Sequence, residues 1–70
     1  MNEFEELCRD AYYSKRNVFD YQGKCHILMF LTKRVKGHYI VYAVQAKRVD
    51  DDGRHWINVG KPVSVEAIPE

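Results

Sequence analysis

The spacing of hydrophobic positions along this chain changes once. Phe4, Leu7, Cys8, Ala11 and Tyr12 recur at helical spacing, whereas from Val18 onward the apolar residues come in β-rich blocks. Asn2, with Glu5 three residues on, resembles a capping box and predicts an amphipathic helix from Glu3 to about Tyr13. Its first turn is acidic and Lys15 and Arg16 follow its end, the order that the helix dipole favours. The polar stretch Ser14-Lys15-Arg16-Asn17 stops it.

The glycines punctuate the rest. Gly23, Gly37, Gly53 and Gly60 each sit where a β-rich run should break, which predicts strands at about Val18–Tyr21, Cys25–Arg34, Tyr39–Val49, Arg54–Val59 and Val63–Ala67. The expected fold class is α+β: a single domain over residues 1–70, one N-terminal helix packed on a four- to five-stranded antiparallel β-meander. The strongest local signal is the hairpin whose tip reads Lys33-Arg34-Val35-Lys36-Gly37-His38.

A two-residue Lys36-Gly37 turn would set Arg34 opposite Tyr39 and Leu31 opposite Tyr42. One side of the sheet would then hold Cys25, Ile27, Met29, Leu31 and Val35 with Ile40, Tyr42, Val44 and Ala46, and the helix is expected to cover it. The other side would hold His26, Leu28, Phe30, Thr32 and Arg34 with Tyr39, Val41, Ala43, Gln45 and Lys47. A turn within Asp50–Gly53 pairs Arg48 with His55, which adds Ile57 and Val59 to the buried side and Trp56, beside Lys47, to the other. A slip of one residue would exchange the faces.

Composition restricts the function classes. With 46% hydrophobic and 30% charged residues the chain is that of a folded domain rather than a disordered tail. At 70 residues it buries only roughly 60% of its unfolded surface, so an enclosed active-site cleft is hard to build. No apolar run approaches the roughly 20 residues that span a bilayer, and the acidic start lacks the character of a signal peptide, so no membrane role and a cytoplasmic location are expected. Cys8 and Cys25 alone make no disulfide framework.

The formal net charge of +1 conceals segregation along the chain. Both ends are acidic, while residues 15–48 carry Lys15, Arg16, Lys24, Lys33, Arg34, Lys36, Lys47 and Arg48 against Asp20 alone. Such a middle steers acidic partners.

No catalytic or metal-binding signature emerges. Asp50-Asp51-Asp52-Gly53 lacks the alternating oxygen ligands and closing Glu of a calcium loop and reads as a turn. Cys8, Cys25, His26, His38 and His55 have no zinc spacing, and the adjacent Cys25 and His26 point to opposite faces of a strand. No enzyme activity and no cofactor are expected. What remains is binding, through aromatic anchors Phe30, Tyr39 and Trp56 with Arg34, Lys36 and Lys47 for orientation.

The expected role is therefore a small protein-binding module that acts by occlusion, as an inhibitor or adaptor, on a protein partner with an acidic surface. In size and character the chain resembles accessory proteins of phages and mobile elements, including inhibitors of host defence. Rings among cations also suit single-stranded nucleic acid, where bases stack and phosphates meet Lys and Arg. A homodimer formed through an edge strand or the outer face is the third reading.

Overall fold

The computed structural model describes residues 2–65. It has one helix, α1 (Glu3–Tyr13), followed by four strands, β1 (Val18–Tyr21), β2 (Lys24–Val35), β3 (His38–Val49) and β4 (Trp56–Ser64). The strands form one antiparallel sheet in chain order, and α1 packs on one side of it. The α+β meander expected from the sequence is present.

α1 begins where its cap dictates: the Asn2 Oδ1 accepts the Glu5 amide hydrogen at 2.8 Å, and Glu3, Glu5 and Glu6 lie in the first turn. It ends at Ser14, whose amide donates to the Asp10 carbonyl at 2.9 Å. Cys8 and Ala11 are small and fully buried, which lets the helix lie close to the strands. The core comprises these two with Leu28, Val44, Ala46, Val63 and Val65, and Phe4, Tyr12, Phe19, Val41 and Val59 pack around it.

Two turns fix most of the register. Gln22 and Gly23, then Lys36 and Gly37, all have positive φ, the geometry of two-residue turns that suits the twist of a hairpin. They close the pairs Tyr21–Lys24 and Val35–His38, and Arg34 does face Tyr39 as the tip predicts.

Farther down the hairpin the register departs from expectation. It shifts between Leu31 and Thr32, because Thr32 pairs with Val41 but Leu31 pairs with Ala43. Tyr42 is the extra residue, a bulge on β3. Below it, even-numbered residues of β2 therefore share a face with even-numbered residues of β3: Leu28 opposes Ala46 and Phe30 opposes Val44. The buried side of β2 is thus His26 and Leu28, with Phe30 at its margin, and not Ile27, Met29 and Leu31. The expected faces of β2 are exchanged.

On β3 the expected buried pair Val44 and Ala46 is correct, whereas Ile40 and Tyr42 are exposed. Arg48 pairs with Ile57 instead of His55, a two-residue difference that leaves Ile57 and Val59 on the buried side. The regions read as fourth and fifth strands form one strand, β4, with an irregularity at Gly60–Pro62 opposite Gln45. The Gln45 amide donates to the Val59 and Gly60 carbonyls at 3.2 and 3.0 Å and holds that irregularity in place. Of the predicted Val63–Ala67 segment, Glu66 and Ala67 lie outside the described residues.

Candidate binding surface

α1 covers one face of the sheet, and among the described residues no helix or strand crosses the other. That open face starts from the apolar run of β2, where Ile27, Met29 and Leu31 point away from the helix by alternation with the buried Leu28. Beyond the bulge Ile40 pairs with Lys33 and joins them. Tyr42 lies there too, with the Lys33 ammonium 5.6 Å from its ring centroid. Trp56 enters from β4 opposite Val49 and is 52% exposed, and Met29 is 47% exposed, so both rise from the surface rather than lining a core.

The charges beside the apolar stripe of this face are cationic, while Asp20 lies at its β1 edge opposite Cys25. Lys47 pairs with Ile27 and stands between the β2 stripe and Asn58 of β4. Lys33 stands at the other end, over Tyr42. The result is an apolar centre with ammonium groups near it.

The six residues selected from the sequence do not form one surface. Lys47 and Trp56 lie on the open face, as expected. Arg34 and Tyr39 sit at the hairpin tip, with the guanidinium 5.8 Å from the Tyr39 ring centroid, and Lys36 occupies the turn itself. Phe30 is on the helix side, edge-on to Tyr12 at 5.6 Å between centroids. His26, expected on the outer face, is 2% exposed among Phe4, Phe19 and Tyr21, and its Nδ1–H donates to the Lys24 carbonyl at 2.9 Å.

Sequence reasoning missed Ile27, Met29, Leu31, Ile40 and Tyr42 as surface residues. The reason is that Ile27–Leu31 and Ile40–Val44 are unbroken apolar runs, which carry no alternation and so no phase. A bulge on a strand of that kind leaves no polar mark.

Cys8 and the aspartates Asp50 and Asp51 of the β3–β4 turn are engaged structurally. Burial pushes the Cys8 thiol up to about 11, away from thiolate character, while Cys25 is exposed on the opposite face, and both are free thiols. The Asp50–His55 turn is built by hydrogen bonds: the Arg54 amide donates to the Asp50 Oδ1 at 3.0 Å and the Gly53 amide to its carbonyl at 3.0 Å. These contacts, led by the Arg54 amide, hold the Asp50 carboxyl below its ordinary value. The Lys24 ammonium, 2.6 Å away, does the same for Asp51. No group of three metal-ligating side chains occurs among the described residues, and none of their helices is long and apolar enough to cross a membrane.

Comparison of the chain with protein-family models, with curated proteins and with solved structures finds no match.

Proposed function

We propose that the chain is a small non-enzymatic protein-binding module that acts by occlusion, as an inhibitor or adaptor, through the helix-free face of its sheet. One observation carries this reading: Ile27, Met29, Leu31, Ile40 and Tyr42 form an apolar stripe on the side that α1 leaves open, with Trp56 on the same face beyond Lys47. Single apolar residues on a surface need no explanation, but a contiguous patch of them marks an interaction site. Trp56 and Tyr42 are the aromatic anchors, and Lys33 and Lys47 select a partner whose rim is acidic.

The nucleic-acid reading is weaker on this geometry, because Phe30, Tyr39 and Trp56 are divided among the helix side, the tip and the open face. They make no shared stacking platform.

Trp56→Ala is expected to weaken binding to the protein captured on the wild-type chain from its native host by at least tenfold, with the thermal midpoint unchanged. Unaltered affinity would remove the open face from the interaction. Binding to single-stranded RNA that falls log-linearly and steeply with salt would replace the protein partner by a nucleic acid.

A further inference from the structure

β1 is four residues long and β2 twelve, and this mismatch leaves an unpaired edge. Among the described residues, β2 is paired on its outer side only as far as Ile27, opposite Val18, with one further bond from the Leu28 amide to the Asn17 carbonyl at 3.0 Å. From Met29 to Val35 it has β3 on one side and, among the described residues, no strand on the other.

The groups that point outward follow from both ends of this stretch. At the lower end the Leu28 amide already points away from β3, so those of Phe30 and Thr32 do so by alternation. At the upper end the positive-φ pair Lys36 and Gly37 makes Val35–His38 the pair that exchanges hydrogen bonds. Lys33–Ile40 is then the next bonded pair, and Thr32 and Arg34 are again left facing outward. The two ends agree because the extra residue, Tyr42, lies on β3. Phe30, Thr32 and Arg34 therefore offer their backbone N–H and C=O groups to an added strand.

The surroundings select the occupant. From Lys24 to Val49 the hairpin contains no Asp or Glu, while Arg34 and Lys36 flank the upper end of the edge and Lys15 its lower end. A second copy would bring cations toward cations, whereas a strand bearing carboxylates would not. At the lower end lies a cleft of about 530 Å³ lined by Tyr12, Tyr13, Lys15, Asn17 and Phe30. A chain running along β2 past Phe30 reaches this cleft where β1 begins.

We infer that the outer edge of β2 accepts an extended acidic segment of a partner protein as a fifth strand, with one large apolar side chain seated in the cleft that Tyr13, Asn17 and Phe30 line. Main-chain bonds supply the affinity in this mode and the pocket supplies selectivity. The site is distinct from the helix-free face and does not depend on it.

The test uses the full chain and a synthetic ten-residue peptide of alternating Glu and Val with one central Phe, blocked at both termini, together with its counterpart carrying Lys for Glu. Amide hydrogen exchange read by NMR should slow at least tenfold at Phe30, Thr32 and Arg34 with the acidic peptide and change little at Lys33, which already pairs with Ile40. Thr32→Pro, which removes one outward N–H and no rung of the β2–β3 ladder, should weaken that binding at least tenfold while cooperative unfolding is retained. Trp56→Ala should leave it unchanged, which separates this edge from the open face. The proposal is overturned if millimolar acidic peptide leaves the three amides unprotected, or if the Lys peptide binds equally well. It is likewise overturned if those amides become protected without peptide as protein concentration rises, which would assign the edge to a second copy.

Discussion

Gly60 shows how a single residue joins the helix to the sheet. Its φ is +69°, a left-handed conformation, and a Cβ built there would stand 3.1 Å from the Cε2 of Phe4. Substitution must therefore strain the backbone and displace the ring that packs edge-on to Tyr21 and Phe19. Gly60→Ala is expected to destabilise the domain by about 1–3 kcal/mol, of which the backbone conformation alone supplies about 1. For a domain of this size each 1 kcal/mol lowers the thermal midpoint by roughly 4–8 °C, so calorimetry resolves it.

Asp50 gives a residue-level dependence on pH. Its folded-state pKa is held below the unfolded value, first by the hydrogen bond from the Arg54 amide. Its contribution is therefore present above the ordinary carboxylate range and is lost as pH falls through that range toward the folded pKa. Asp50→Asn, which keeps an acceptor for Arg54 but cannot titrate, is expected to shrink the drop in thermal midpoint between pH 7 and pH 3. Asp51, shifted in the same direction by Lys24, accounts for part of the drop that persists.

At the scale of elements, α1, β1 and the first two hairpin turns were legible because each is announced by local chemistry: the Asn2 cap, the helical period from Phe4 to Tyr12, and the Gly23 and Gly37 turns. The phase of β2 was not. Ile27-Leu28-Met29-Phe30-Leu31 is apolar at every position, so either parity could face the helix, and the bulge at Tyr42 decides between them. The same reason explains the site: Trp56 and Lys47, placed through the turn at Asp50–Gly53, were assigned to the correct face because the two-residue difference in register preserves it, and the β2 stripe that completes it was not. Because the irregularity is one extra residue on β3, deleting Tyr42 would leave a continuous ladder. That deletion is expected to retain far-UV circular dichroism and cooperative unfolding, whereas deleting Met29 from β2 should abolish both, since half of that strand would then turn its side chains over.

Over the described residues the molecule is a four-stranded sheet with α1 on one side, measuring 42 × 23 × 19 Å. α1, about 16 Å long at 1.5 Å per residue, reaches only part of that length, and the hairpin tip with Arg34, Lys36 and Tyr39 extends past it. Its core consists of small and medium side chains, chiefly Cys8, Ala11, Leu28, Val44, Ala46, Val63 and Val65. Larger apolar groups such as Met29, Tyr42 and Trp56 lie on the opposite face, an arrangement that makes sense if a partner completes their burial.

The central claim is that the helix covers the Leu28 side of β2 and leaves the Met29 side open for binding. Thermal unfolding of two neighbouring variants tests it without knowledge of the partner. Leu28 is 9% exposed, and Leu28→Asp would bury a carboxylate against Ala46, so loss of cooperative folding is expected. Met29→Asp would place the same group in solvent, and its thermal midpoint should stay within a few degrees of the wild-type value, the ordinary outcome for a surface substitution. The opposite ranking, with Met29→Asp unfolded and Leu28→Asp stable, would contradict both the fold's choice of face and the function proposed from it.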